Sequence, residues 1–225
     1  MMGTANDCQL ELCGETLWLL PERAIYWPRR ATLIVSDLHI GKAAAFRAAG
    51  VPVPEQTTAA TLDRLSQALA RTGAERLLCL GDLLHARSGR TPAALEAVET
   101  WRARHAALPF LLVRGNHDTH AGDPPAEWRI ECVDEPWANE RGEAGPFAFR
   151  HKPALTEGRY TLAGHIHPAV TLNGPGRQQL TLPCFHFGPQ MGILPAFGEF
   201  TGTALVRREV GDRVYAVAGE RVVQV

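Results

Sequence analysis

The chain has 225 residues, of which 45% are hydrophobic and 21% are charged, and this is enough for one domain with a sizeable core. A net charge of −1 excludes a protein that binds nucleic acid or another polyanion through bulk charge alone. Any contact with nucleic acid therefore has to come from a local patch or from bound metal.

The cysteines are odd in number and contain no C-x-x-C pair, which is typical of free thiols in a reducing cytoplasm. The N-terminal segment has acidic residues where a secretory signal peptide needs basic and then apolar ones. The longest uncharged run, residues 178–198, is broken by prolines and glycines, which predicts irregular, loop-rich structure and excludes a membrane span. We expect a cytoplasmic protein that has no membrane segment.

Three short apolar runs in the first half share one form. They cover Thr32–Val35, residues 77–80 and Phe110–Val113, and each is apolar enough to be a strand buried on both faces. A buried helical segment is the alternative, but Gly81 and Gly115 end two of the runs abruptly and argue against it.

Helical patterns lie between these runs. Residues 42–49 are rich in alanine, and residues 57–71 place leucines at spacings of three and four before Gly73. Thr91 and Pro92 have the form of an N-cap followed by a first helical residue. This alternation predicts parallel strands with covering helices, and ligands in such sheets sit at the carboxyl ends of the strands. The remainder of the chain predicts short strands, paired mainly as antiparallel hairpins.

Polar residues follow the predicted strands in five blocks. Carboxylates, imidazoles and an amide are donors suited to Mn²⁺, Fe or Zn²⁺. Each block alone has an ordinary explanation, such as a tight turn or a hydrogen-bonded structural histidine, and only the combination is specific. The blocks are Asp37 with His39, Asp82, Asn116 with His117, His151, and His165 with His167.

The set D-x-H-x-G, G-D-x-x-x-x-R, G-N-H-D, a single histidine and G-H-x-H resembles the calcineurin-like metallophosphoesterases, and it covers residues 37–167. This resemblance implies an α/β fold, a four-layer αββα sandwich of two packed mixed β-sheets flanked by helices, with a β-rich C-terminal half. We expect a single domain over residues 1–225, with the motif core in residues 32–170.

The resemblance also implies roles for these residues. Two divalent metal ions, which we expect to be Mn²⁺ with Fe, Zn²⁺ or Ni²⁺ as alternatives, would share a hydroxide that attacks phosphorus in line. His117 would assist the leaving group, and Asp118 would orient its ring. The expected ligands are Asp37, His39 and His167 for one ion, Asn116, His151 and His165 for the other, and Asp82 bridging both.

Three further residues are candidates for contact with substrate. Arg87 either contacts phosphate or pairs with a carboxylate. His85 either faces the cleft, touching substrate or a metal ligand, or is a hydrogen-bonded structural histidine. Arg114 either meets phosphate or is one of the many solvated arginines of loops. Four phenylalanines have two interpretations, stacking on an unpaired base or core packing: Phe46, Phe185, Phe187 and Phe197.

A longer similarity is carried by "LWLLPERAIYWPRRATLIVSDLHIGKAAAFRAAGVPVPEQTTAATLDRL" and "LPCFHFGPQMGILPAFGEFTG". Over about residues 17–217 the chain resembles the bacterial ligase-associated DNA damage response endonucleases. That resemblance implies a Mn²⁺-dependent DNA endonuclease in DNA repair, associated with a DNA ligase, an exonuclease and a helicase. The expected DNA substrate is single-stranded, nicked or an end. The alternatives are a phosphatase or pyrophosphatase on a nucleotide or other small phosphorylated compound, and a non-catalytic scaffold of the same fold.

Overall fold

The first half of the protein forms a seven-stranded sheet whose strands lie in chain order. The computed structural model describes residues 6–53, 57–138 and 144–225, so the first five residues of the segment compared with signal peptides lie outside the described residues. The first four strands are paired antiparallel, and the fourth strand is also the first of the four that are paired parallel. The strands are β1 (Cys8–Leu12), β2 (Glu15–Leu20), β3 (Ala24–Trp27), β4 (Thr32–Val35), β5 (Arg76–Cys79), β6 (Phe110–Val113) and β7 (Ile130–Val133).

The parallel strands predicted from the apolar runs are confirmed. β4 and β6 have the expected bounds, and β5 begins one residue earlier than its apolar run. The helices between them are α1 (Lys42–Ala48), α2 (Thr57–Thr72), α3 (Pro92–Arg104) and α4 (Asn116–Ala121). Thr91 caps α3 as predicted, because its side chain accepts a hydrogen bond from the backbone N–H of Ala94.

A second sheet contains eight strands in the order β13-β10-β11-β12-β9-β8, with β14 joined to β11 and β15 joined to β14. The strands are β8 (Phe147–Phe149), β9 (Tyr160–Ala163), β10 (Pro168–Asn173), β11 (Gln179–Phe187), β12 (Met191–Ile193), β13 (Ala204–Leu205), β14 (Arg213–Ala218) and β15 (Arg221–Gln224). The expectation of antiparallel hairpins was incomplete, because β8 with β9, β9 with β12, and β10 with β13 are parallel pairs.

The prediction that residues 178–198 are irregular was wrong. This stretch contains β11 and β12, and β11 is the longest strand in the described part of the chain. Its proline is tolerated because Pro183 lies where β11 leaves β10 and begins to pair with β14. Gly188 and Pro189 lie in the turn between β11 and β12. These two residues therefore separate consecutive strands and do not interrupt either one.

Two hydrophobic clusters hold the layers together. One lies between the sheets and joins residues such as Ile34 and Leu78 to Phe149, Leu162 and Phe185. The other joins the opposite face of the first sheet to the buried leucines of α2 and to Val98 and Trp101 of α3. The predicted fold of two packed mixed sheets with helices is therefore confirmed, and the α-helices of the described residues all precede Gly122.

All five cysteines have free thiols, as predicted. Among residues 6–53, 57–138 and 144–225, no helix is both long and apolar enough to cross a membrane.

We expect Leu162→Ala to lower the free energy of unfolding by about 2–5 kcal/mol, because Leu162 is fully buried between the sheets and the change leaves a cavity. Leu180→Ala is the matched control, since Leu180 is 57% exposed and its loss should change stability by less than about 0.5 kcal/mol. Urea unfolding in the presence of EDTA measures both, and equal effects of the two substitutions would contradict the described core.

Candidate metal centre

The sequence blocks meet at one end of the sandwich. Asp37, Asp82 and Asn116 follow the carboxyl ends of the parallel strands β4, β5 and β6 of the first sheet. His151 follows β8, and the G-H-x-H block follows β9, in the second sheet. The site therefore lies where the ends of two packed sheets converge, at the sheet edge where α/β proteins bind ligands.

One group of possible metal ligands consists of Asp37, His39 and His167, whose donor atoms all lie within 4.8 Å of one another. His167 Nε2 is 3.3 Å from Asp37 Oδ1 and 3.3 Å from His39 Nε2. Donors bound about 2.1 Å from one ion and at right angles lie about 3 Å apart, so these spacings suit a shared cation.

A second group consists of Asp82, His151 and His165. His151 Nε2 is 3.3 Å from Asp82 Oδ1, 3.1 Å from His165 Nδ1 and 3.0 Å from the Asn116 amide oxygen. The other oxygen of Asp82 is 3.8 Å from His39 Nε2 in the first group. The Asp82 carboxylate thus lies between the two groups, and the structure brings together all seven residues that the sequence suggested as ligands.

Backbone carbonyl groups orient two of the histidine rings, each through a hydrogen bond to the ring nitrogen that faces away from the centre. His151 Nδ1 is 2.9 Å from the Leu80 carbonyl oxygen, and His167 Nδ1 is 3.0 Å from the Gly202 carbonyl oxygen. A carbonyl only accepts, so each Nδ1 carries the proton and donates it. Each Nε2 is then left with a lone pair directed at the centre, which is the usual support for a metal-binding histidine.

Many of these residues have strained backbone. A left-handed backbone is uncommon for any residue other than glycine and costs about 1–3 kcal/mol each time. The predicted ligands with positive φ are Asp37 (55°), His39 (48°), Asp82 (54°), His165 (71°) and His167 (53°).

Two motif glycines make room for the carboxylates. A Cβ on Gly164 would lie 2.6 Å from Asp37 Oδ2, and a Cβ on Gly115 would collide with the Asp82 carboxylate. The glycines of G-H-x-H and G-N-H-D are therefore required for close approach to the ligands.

The site chemistry fits bound cations. Asp37 Oδ1 is buried without a hydrogen-bond partner among the described residues, which is costly unless an ion contacts it. Burial and the neighbouring Asp37 carboxylate raise the pKa of Asp82 to about 8, so Asp82 needs positive charge nearby to stay ionised. Burial lowers the pKa of His39 to about 2, which keeps its ring neutral and able to bind a metal.

His117 faces the same centre and belongs to neither of these groups, although its donor atom lies within 4.8 Å of those of His39 and His85 in a third group. Its Nδ1 lies 2.6 Å from the His85 carbonyl oxygen and so carries a proton, while its Nε2 lies 3.8 Å from Asp82 Oδ2. The His85 ring stacks on the His117 ring at 4.6 Å, and His85 Nδ1 is 3.3 Å from Nδ1 of the predicted ligand His39. The position of His85 therefore agrees with one of its two sequence interpretations, in which it faces the cleft and contacts a predicted ligand.

The expectation that Asp118 orients the His117 ring was wrong. The Asp118 carboxylate accepts hydrogen bonds from the backbone N–H groups of Asp82, Leu84 and Gly115, at 2.7, 3.0 and 2.9 Å. Asp118 therefore fixes the loops after β5 and β6 to one another, and the His85 carbonyl holds the His117 ring.

The two arginine candidates lie at the rim. Arg114 is bound by the carboxylates of Asp123 and Asp134, at 2.8 and 3.0 Å, which argues against direct contact with phosphate. Arg87 is exposed and donates its Nε–H to the His120 carbonyl oxygen at 3.2 Å. The alternative in which Arg87 pairs with a carboxylate is not observed among the described residues, and the alternative of contact with phosphate stays a prediction.

The phenylalanine alternatives divide by burial. Phe185, Phe187 and Phe197 are fully buried, so their interpretation as core residues is confirmed. Phe46 lies near the centre, with its ring centroid 6.1 Å from that of His85. Phe200 was missed by sequence reasoning, because it lies in no motif and comes beside Phe46 only in the folded chain.

The chain belongs to the calcineurin-like phosphoesterase family, whose model matches residues 31–200. It is similar to the crystal structure of Pseudomonas putida nuclease MPE, with 47% sequence identity and a TM-score of 0.85. That match covers 98% of this chain and 100% of the other. The match supports a metal-dependent phosphodiesterase or nuclease.

A more distant match is Yfce, a phosphoesterase from E. coli, at 16% identity and a TM-score of 0.44, covering 86% of this chain and 97% of that one. No curated protein sequence matches this chain significantly.

We expect Gly164→Ala to weaken Mn²⁺ binding by about 10–100-fold, because the added methyl group displaces the Asp37 carboxylate. Gly202→Ala is the matched control, since a Cβ there meets no heavy atom within 4 Å although the residue supports His167 through its carbonyl. Calorimetric titration of both variants with Mn²⁺ checks this, and unchanged affinity in Gly164→Ala would count against Asp37 as a ligand.

Proposed function

We propose that this protein is a two-metal phosphodiesterase that cleaves DNA, acting as an endonuclease in DNA repair. The proposal depends chiefly on one observation, the shared position of the Asp82 carboxylate between two groups of donors, with His117 directed at the same point. Support for nucleic acid as substrate comes from the similarity to a nuclease over almost the whole chain.

In this proposal one ion is held by Asp37, His39 and His167, and the other by Asn116, His151 and His165, with Asp82 serving both. Such a pair of ions supplies an activated water at neutral pH and neutralises the phosphate oxygens. We propose Mn²⁺ because the extended resemblance implies it; the carboxylate, amide and imidazole donors are compatible with Mn²⁺ and also suit Fe or Zn²⁺.

The protein's own contribution to bond cleavage comes from His117. Its Nδ1 proton is donated in a hydrogen bond to the His85 carbonyl oxygen. Nε2 is therefore the atom that can hold a second proton and deliver it to a leaving alkoxide. The His117 side chain is 36% exposed, which leaves this nitrogen accessible to a substrate while Asp82 is almost completely buried.

We further propose that the protein acts in the cytoplasm, in functional association with a DNA ligase, an exonuclease and a helicase. This part of the proposal is supported by the extended resemblance of residues 17–217 and by the absence of a membrane-spanning helix among the described residues. The nearly neutral net charge favours a single-stranded, nicked or terminal DNA structure over tight binding to duplex, which needs more positive charge.

An activity screen tests the proposed reaction. With Mn²⁺ we expect cleavage of single-stranded or nicked DNA and of bis-p-nitrophenyl phosphate, and loss of both in Asp82→Asn, which impairs both metal groups. EDTA should abolish the activity of the wild type, and added Mn²⁺ should restore it. Added Mn²⁺ should not give activity to Asp82→Asn. Strong hydrolysis of p-nitrophenyl phosphate or of nucleoside diphosphates, without cleavage of any diester, would instead establish a phosphatase or pyrophosphatase.

We expect His117→Ala to retain both metal ions and to cut DNA at least about 10²-fold more slowly, because the leaving alkoxide loses its proton donor. Hydrolysis of bis-p-nitrophenyl phosphate should fall much less, since nitrophenolate leaves without protonation. Metal analysis and the two rates measured side by side give the answer. Equal losses on the two substrates would argue against a general acid.

A further inference from the structure

A row of aromatic rings leads outward from the metal centre. His117 stacks on His85 at 4.6 Å, and the Phe46 ring lies 6.1 Å from His85 at a tilt of 35°. Phe200 meets Phe46 edge to face at 5.7 Å. The row therefore begins at the residue proposed to protonate the leaving group and ends at the surface.

The two phenylalanines are not part of the core. Neither Phe46 nor Phe200 belongs to either hydrophobic cluster of the described residues, and Phe200 is 38% exposed. This contrasts with Phe185, Phe187 and Phe197, which are fully buried. Two adjoining aromatic side chains left at the mouth of a polar site are typical of a surface that binds a ligand.

A small cleft lies beside Phe200, the outer ring of this row, and next to His39, a proposed metal ligand. Lys42 and Phe200 line it, together with the threonines at positions 57, 58 and 61. Glu199 also lines it, but the Arg64 guanidinium is paired with that carboxylate, so its charge is largely compensated. The cleft thus combines an aromatic wall, a cation and hydroxyl groups beside the centre.

Lys42 lines this cleft together with His39 and Phe200. It is the first residue of α1, it is half-buried, and its ammonium interacts electrostatically with Asp37 and Asp82. A phosphate held at the metal centre would therefore be attracted by a cation that lines the same cleft as Phe200.

We propose that Phe46 and Phe200 form a nucleobase subsite, in which the base next to the scissile phosphate stacks while Lys42 contacts the phosphate. This inference rests on the proposed function and deepens it. A base presents its face to an aromatic side chain only when it has left its own stack, so the subsite accepts an unpaired or displaced base. Stacking is tolerant of sequence, because every base has a π-face.

The test uses an oligonucleotide with a single phosphodiester among methylphosphonate linkages, so that cleavage occurs at one known position. An abasic residue replaces the base on its 5′ or its 3′ side. For the wild type with Mn²⁺ we expect kcat/KM to fall by about 5- to 100-fold for one of these sides, the range given by loss of one stacked base.

The same measurements on Phe200→Ala should show low kcat/KM on the intact strand and less than about 2-fold further loss on the abasic strand. Phe200→Trp keeps a π-face and should keep the dependence on the base. Leu180→Ala, which removes an exposed apolar side chain from the β10–β11 hairpin, should behave as the wild type. Metal analysis should find unchanged Mn²⁺ content in all three variants.

An abasic penalty that is as large in Phe200→Ala as in the wild type would overturn the subsite while leaving the nuclease in place. A wild type that hydrolyses bis-p-nitrophenyl phosphate but cuts no DNA would overturn the proposed function, and the subsite with it.

Discussion

Two carboxylates buried side by side are the constraint on which this structure depends. Asp37 is fully buried and Asp82 is 2% exposed, and burial together with the Asp37 carboxylate raises the pKa of Asp82 to about 8, so Asp82 needs positive charge nearby to remain ionised. The surrounding donors are four imidazoles and one amide, which bind cations without adding negative charge. A divalent cation bound here would supply that charge and would also contact Asp37 Oδ1, which has no hydrogen-bond partner among the described residues.

The conformation of the loops follows from this requirement. Left-handed backbone at five of the seven predicted ligands is unfavourable locally, and it persists because the loops after β4 and β5 continue to form hydrogen bonds to each other beyond the strands. The N–H of Asp37 donates to the Gly81 carbonyl at 3.0 Å, and the N–H of His39 donates to the Asp82 carbonyl at 2.8 Å. Asp118 joins the next loop to this pair through backbone N–H groups.

Much of the fold was predictable because its signals are local. Runs of four apolar residues predicted β4, β5 and β6, and leucines at helical spacing predicted α2, since a buried element needs apolar side chains at its own period. The segment QQLTLP predicted the first part of β11, but its continuation past Pro183 was missed because prolines and glycines were taken as breakers, whereas Pro183 stands where the strand changes partners. A change of partner depends on two distant strands and leaves no periodic signal.

The sequence by itself determined the chemistry of the centre, because the residue types and short spacings of D-x-H, G-N-H-D and G-H-x-H already limit the site to carboxylate, amide and imidazole donors. Only the tertiary structure decided how those groups are held. The His85 carbonyl, not Asp118, fixes the His117 ring, and Phe200 comes to lie against Phe46. These contacts depend on where packing places loops that are distant in the chain, and residue type and local spacing carry no information about that.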